Sequence, residues 1–181
     1  MCLVIDMNTI PTVFNPSLQN HDKFKPVLDW LIHGKGKMVC GGTKYWKEFK
    51  LINKYIRFFN QLNKAGKVVK IDDNAVDQKM NELVGLCNDD DFDDPHIVAL
   101  LIVSGCKVIS SEDVRSYPYI KRREWYPKGS SIPKIYKSSS FGQASSILSD
   151  NNIASVCLPC LRLKKVDATA LMPRNKGTPH G

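Results

Sequence analysis

Four acidic residues stand where apolar segments end or turn. They are Asp6 in LVIDMN, Glu48 in YWKEFK, Asp94 in FDDPHIVALLI and Asp113 in KVISSED. An open α/β sheet carries its site at the carboxyl ends of its strands. Carboxylates gathered within about 4–6 Å raise each other's pKa unless a cation compensates. Hard oxygen ligands select Mg²⁺ or Mn²⁺ over zinc. Such ions acidify a bound water and neutralise charge on phosphate oxygens. A converging set would therefore suit phosphodiester hydrolysis by water, without a covalent intermediate.

Each acid also has a structural explanation. Asp6 could form an Asx-turn after a strand. Asp94 before Pro95 fits an N-cap followed by an N1 proline. Asp113 could cap a helical turn, and Glu48 could pair with Lys44 one turn away. Convergence is favoured by topology: Asp6 and Asp113 follow apolar strands, Asp94 precedes the helix leading into the second of them, and Glu48 falls on an inward helix face.

The elements that must position them read as an alternation. CLVID at 2–6 is a short continuous apolar run, as in a strand buried on both faces. A loop rich in Asn, Pro and Thr follows, then a helix over 23–33 stopped by Gly34 and Gly36. KMVC at 37–40 predicts a strand, with Thr43 as the N-cap of the next helix. Residues 45–62 predict one helix, on which Glu48 lies within the apolar stripe of Tyr45, Ile52, Tyr55, Phe59 and Leu62. VVKI at 68–71 predicts a strand and 73–87 a helix. The acidic run 88–94 precedes a helix over 95–104 that is apolar nearly all round, hence buried. Strands at 108–110 and 133–136 and a helix over 140–149 complete the pattern, with NIASVCLPC as a last strand or packed turn. Such alternation predicts an α/β fold, three-layer α/β/α around a mainly parallel sheet. Residues 1–163 form one domain, and 164–181, polar with Pro and Gly, are expected as a flexible basic tail.

The chain has 181 residues and a net charge of +8, which fits a polyanionic partner such as nucleic acid. No apolar run reaches the roughly 18–20 residues of a membrane span. MCLVIDMN has no basic n-region, so it predicts a first strand rather than a signal peptide and a cytoplasmic location. Of six cysteines, Cys2, Cys40 and Cys106 edge apolar runs and are expected as buried thiols, and the scatter suggests no disulfide framework. Cys157 and Cys160 make a single CxxC without the second pair a structural zinc site needs, so they are expected as ordinary thiols.

IDMN at 5–8, Glu48 facing inward, DPHIVAL at 94–100 and ISSED at 109–113 resemble, in order and spacing, the signature of PIN-domain nucleases. The resemblance covers roughly residues 2–136. It implies an α/β/α fold and a Mg²⁺- or Mn²⁺-dependent endoribonuclease, a PIN-like nuclease domain over 1–163. It also implies Asp6, Glu48, Asp94 and Asp113 as catalytic, metal-binding acids, with Asp91 and Asp93 as alternates for the third. Asn8 would brace the first loop, and the Ser111 hydroxyl would support the site where the family usually has Thr. Many small bacterial members are toxins of toxin–antitoxin pairs, so RNA, an antitoxin protein and a second copy in a homodimer are the partners implied.

A nuclease also needs cations and stacking groups. Lys121, Arg122, Arg123 and Lys128 surround Trp125 and Tyr126, and Lys44 and Lys47 flank Glu48. The candidate substrate contacts are thus Lys44, Lys47, Lys121, Arg122, Arg123 and Trp125. Trp125 has packing as its rival role. Two other readings remain: a non-catalytic PIN-like module that binds RNA or protein, and a haloacid-dehalogenase-like phosphatase. The phosphatase wants a second acid two residues after the first, where this chain has Asn8.

Overall fold

A computed structural model describes residues 2–171. Five strands, β1 (Cys2–Ile5), β2 (Lys37–Cys40), β3 (Val68–Lys70), β4 (Val108–Ser110) and β5 (Lys134–Tyr136), form one sheet in the order β3-β2-β1-β4-β5. Every pairing is parallel. Helices cover both faces, giving the three-layer α/β/α architecture. Parallel strands buried on both faces read as continuous apolar runs, and β1 is fully buried along its length. The chain runs outward from β1 through β2 to β3, then returns to the other side of β1 for β4 and β5. The strand order therefore reverses between β1 and β4, the crevice where such sheets bind ligands. Asp6 leaves β1 there and Ser111 leaves β4, with Ile5 in register with Ser110.

The helices are α1 (Ile10–Phe14), α2 (His21–Ile32), α3 (Thr43–Leu51), α4 (Ile56–Lys64), α5 (Asp73–Leu86), α6 (Pro95–Ser104), α7 (Tyr117–Ile120), α8 (Ala144–Ile147) and α9 (Lys165–Leu171). Helix α6 is buried from Pro95 to Leu101, as its all-round apolar pattern requires. The segment before α2 is not all loop, because Ile10, Val13 and Phe14 bury one face of α1.

The single helix expected over 45–62 is broken. Ile52 leaves the helical region at φ −101°, ψ 43°, and a 3₁₀ turn at Asn53–Tyr55 separates α3 from α4. Packing demands the break. The Trp46 and Phe59 ring centroids lie 5.8 Å apart and those of Phe49 and Phe59 4.9 Å. On a straight helix, thirteen residues span about 20 Å. Folding back closes an aromatic cluster that a continuous stripe could not make.

Thr43, the expected N-cap, is the first helical residue. Gly42 occupies the cap, and acceptors come from α5: the Gly42 amide donates to Asp73 Oδ1 at 2.7 Å and the Thr43 amide to Asp77 Oδ1 at 2.8 Å. Free N–H groups at a helix start are thus met by anions.

Toward the C-terminus, the helix expected over 140–149 is a 3₁₀ segment, Ser138–Gln143, followed by α8, and NIASVCLPC is a packed turn. Part of the expected tail, Lys165–Leu171, is a helix that packs on α4, burying Ala168 and Leu171. The rest of the tail, with His180, lies outside the described residues. Cys2 and Cys157 are joined as a disulfide, correcting the expectation that both are thiols. Their Cα atoms stand 6.2 Å apart across 155 positions of sequence. Only tertiary closure makes such a pair, so no local spacing announces it. Cys40 and Cys106 are buried free thiols, as expected, and Cys160 Sγ donates to Cys157 O at 3.1 Å. Among the described residues, no helix is long and apolar enough to cross a membrane.

Gly42 is the backbone hinge on which α3 turns. Its φ is +92°, and a Cβ there would meet Val76 Cγ1 at 2.7 Å. Gly42→Ala is therefore expected to cost about 1–3 kcal/mol from backbone strain, with the clash added. Urea unfolding at neutral pH would read it, and an unchanged midpoint would refute the hinge role.

Candidate metal centre

Asp6 is placed by the β1–β4 ladder. Its amide donates to Ser110 O at 3.0 Å, which fixes the residue beside the end of β4. Its Oδ2 accepts from Asn8 Nδ2 at 2.8 Å and from Ser111 Oγ at 2.6 Å. Asn8 Oδ1 in turn accepts the Glu112 amide at 3.4 Å, and Ser111 Oγ accepts the Asp113 amide at 3.1 Å. Asn8 and Ser111 thus stand where a brace between the two strand ends must stand. Asp6 is only 6 % exposed, and it forms no ion pair with any described residue. Burial pushes its pKa up to about 6, opposed by the Ser111 bond and reinforced by the nearby Asp94 and Asp113.

Glu48 and Asp94 approach from α3 and from the start of α6. Lys44, one turn before Glu48, lies 3.8 Å from Glu48 Oε1 and 3.6 Å from Asp94 Oδ1. Its Nζ also donates to Asp93 O at 2.7 Å. Glu48 Oε2 meets His96 Nε2 at 3.1 Å. Desolvation raises the pKa of both acids, against the lowering effect of Lys44, and Asp94 further raises Glu48. Burial, with Lys44 close by, pushes His96 down to about 3, so its ring is neutral.

Two groups of ligand-type atoms result, each within 4.8 Å: Glu48, Asp94 and His96, and Asp93, Asp94 and Asp113. Asp94 belongs to both, and Asp6 is coupled electrostatically to members of each. The structure therefore brings Glu48, Asp94 and Asp113 into two overlapping groups, with Asp6 near enough to be coupled electrostatically to all three. Of the alternates, Asp93 is close by. Asp91 is engaged in the turn before it, its amide donating to Asp89 Oδ1 at 3.1 Å.

The structural roles separate the acids. Asp113 does cap a turn, its Oδ1 accepting the Arg115 amide at 3.2 Å. Asp94 precedes α6 yet makes no side-chain cap bond. Glu48 has its expected lysine partner, but that lysine also faces Asp94.

The predicted substrate contacts divide as well. Lys44 is at the acids. Lys47 lies round α3 from Glu48, beside Trp46, Phe49 and Phe59. Arg122 pairs with Glu124 and stacks on Trp125, and Arg123 donates to the Pro127 and Ser130 carbonyls. Trp125 packs against Phe92 and Tyr119, with centroids at 5.0 and 6.2 Å. These side chains are engaged within the fold. Lys121 borders a groove with Tyr117, Lys134 and Lys137.

Three neighbours went unread in the sequence. His96 sits two residues after Asp94 and looked like one more position of a buried helix. Arg115 bridges Asp93 at 2.9 Å and Asp113 at 3.5 Å. Tyr117 donates its hydroxyl to Ser111 O at 2.9 Å. The DPH triplet was the available signal for His96, since a histidine directly after an N1 proline points back toward the helix start.

No family model matches this chain, and neither a curated protein nor a solved structure matches it.

Asp6, a buried carboxylate with no ion pair among the described residues, makes its own contribution to the pH dependence of stability. The folded-state pKa of Asp6, about 6, lies above its ordinary value of 3.8. The folded state then holds this proton more tightly, and the Asp6 contribution to stability is lost as pH rises from about 4 to 6, while His96, pushed down to about 3, acts in the opposite direction. Without added metal, the deficit above pH 6 is on the order of 3 kcal/mol. Asp6→Asn keeps an oxygen acceptor for Asn8 and Ser111 and removes the charge. Thermal melts in chelator are expected to show the variant more stable than wild type at pH 8 and no better below pH 4. Equal melts at pH 8 would contradict this electrostatic account.

Proposed function

We propose that the chain is a Mg²⁺- or Mn²⁺-dependent endoribonuclease of the PIN type. The observation that carries this reading is Asp6, a buried carboxylate at the switch point of a parallel sheet, faced by acids and without an ion pair among the described residues. Asp6, Glu48, Asp94 and Asp113 would hold the cation. When bound, it would supply an acidified water and neutralise phosphate charge. The donor set fits, because oxygen ligands predominate and three of the four acids are already disfavoured as free anions.

The protein's own groups position and balance. Asn8 and Ser111 fix Asp6 in one orientation. Lys44 and Arg115 hold the remaining acids against mutual repulsion and present positive charge at the rim, where an RNA phosphate would lie. Lys121 and Lys137, beside Tyr117, extend that rim. A neutralising antitoxin protein and a homodimer belong to the same proposal and rest on the resemblance, and a cytoplasmic location rests on the reading of the MCLVIDMN segment.

One observation favours a second reading, a non-catalytic PIN-like binding module. Lys44 already bridges Glu48 and Asp94, so the chain supplies part of the compensation that a metal ion would give. Lys44→Met separates the two. A metal site is expected to bind Mn²⁺ at least as tightly once its competing ammonium is gone, whereas a purely structural ion pair predicts no binding in either protein and a lower melting temperature.

Cleavage of a generic single-stranded RNA is the direct assay. Wild type with Mn²⁺ is expected to cut internally, with activity abolished by EDTA and reduced at least 100-fold in Asp6→Asn. That factor corresponds to about 3 kcal/mol of lost transition-state stabilisation. Activity that survives both chelator and substitution would overturn the metal-site reading.

A further inference from the structure

His96 is the one member of the centre that the acid set does not explain. It is 1 % exposed, at the second position of α6, with its ring between Glu48 and Asp94. Nε2 lies 3.1 Å from Glu48 Oε2. A carboxylate accepts only, so Nε2 carries the proton and donates. That leaves Nδ1 with a bare lone pair. This atom is buried and has no hydrogen-bond partner among the described residues. Across from it, 3.8 Å away, is Asp94 Oδ1, a second electron-rich atom. Asp94 is partly exposed and Lys44 Nζ stands 3.6 Å from the same oxygen, but His96 Nδ1 itself is buried, and two acceptors facing one another are unfavourable unless something positive lies between them.

The separation suits a shared ion. Metal–ligand bonds of about 2.1 Å put two ligand atoms roughly 3–4.2 Å apart, depending on the angle at the metal. The ring's other side has the matching arrangement. A ligating histidine commonly donates its second N–H to a carboxylate, which sets tautomer and orientation. Here Glu48 is that carboxylate. The ligand-type atoms of Glu48, Asp94 and His96 all lie within 4.8 Å of one another.

We propose that His96, through Nδ1, ligates the same divalent ion as Asp94, that Glu48 orients the ring from behind, and that the site therefore prefers a first-row transition ion to Mg²⁺. Imidazole nitrogen suits transition ions, whereas Mg²⁺ takes oxygen ligands in a strict octahedron. Glu48 becomes a positioning residue for His96, beyond whatever it contributes to the ion directly. The inference rests on the centre being a cation site, and it does not require RNA to be the substrate.

The test uses the full chain and Mn²⁺ as the probe. Electron spin-echo spectroscopy of bound Mn²⁺ is expected to show ¹⁴N coupling from a directly coordinated imidazole, and Mg²⁺ is expected to displace the ion only at more than about tenfold excess. His96→Gln should abolish the nitrogen coupling. Because His96 is buried and that variant can fail to fold, Glu48→Gln serves as the second variant. It should keep the coupling and weaken Mn²⁺ binding about tenfold, the usual effect of losing an orienting carboxylate. Mn²⁺ held in an all-oxygen environment would overturn the histidine ligand while leaving a carboxylate nuclease site standing. No bound Mn²⁺ would overturn both. Nitrogen coupling in a protein that cuts no RNA would support this ligand set and remove the nuclease reading alone.

Discussion

The structure depends on one constraint, a carboxylate carried at the end of the central strand of a fully parallel sheet. β1 has neighbours on both sides and helices on both faces, so whatever follows Ile5 is enclosed by construction. That residue is Asp6. A buried carboxylate must find hydrogen bonds or opposite charge. It takes hydrogen bonds, from Asn8 two positions on and from Ser111 at the end of β4. Those bonds also join the two strand ends at the reversal point of the sheet. Burial desolvates the charge, and no ion pair among the described residues opposes that, so the pKa rises rather than falls. Fold and site are therefore one design: the crossover that brings β4 beside β1 delivers the brace together with Asp94 and Asp113, while Glu48 comes from α3.

Around this centre, charge is balanced at a distance. Lys44 lies between Glu48 and Asp94, and Arg115 between Asp93 and Asp113. Both cations sit partly in solvent, so solvent screening leaves each contact weak by itself. That is enough to hold the acids together and too little to fix them as a closed network. Such a balance can be displaced by a competing cation, whereas a buried, fully hydrogen-bonded salt bridge could not be displaced cheaply.

What the sequence made legible follows from the range of the forces involved. β1 and α6 were visible because burial on all sides leaves an unbroken apolar run. Glu48 was visible because a 3.6-residue period turned it inward. Periodicity did not reveal that Ile52 breaks the helix, since Tyr55, Phe59 and Leu62 continue the phase of Tyr45 on paper. The ring contacts that bend the chain connect residues thirteen apart, beyond any local pattern. The Cys2–Cys157 pair, the docking of α9 and the Arg115–Asp93 salt bridge have the same origin in tertiary closure. His96 was hidden for another reason. In a helix that is apolar all round, one polar position carries no phase information, and its meaning appears only when Glu48 arrives from another helix.

The hydrogen bonds sort the acids more sharply than their positions do. A carboxylate near a turn or helix start commonly accepts backbone amides. Asp72 does this at the start of α5, and Asp113 does it before Arg115. Asp89, exposed, is held below its ordinary pKa by its hydrogen bonds to Tyr119 and to the Asp91 amide. Asp94 occupies a cap position and forgoes the cap, worth about 1 kcal/mol, to face Lys44 and His96 instead. Asp94, Glu48 and Asp6 all have raised pKa values, with desolvation as the leading cause in each. Three carboxylates made less stable than they would be in water, at one edge of one sheet, lower the stability of the fold that holds them. Perturbed groups of this kind concentrate at sites where a ligand restores the balance. The proposed ligand, a divalent cation, would compensate three acids and a bare imidazole nitrogen together.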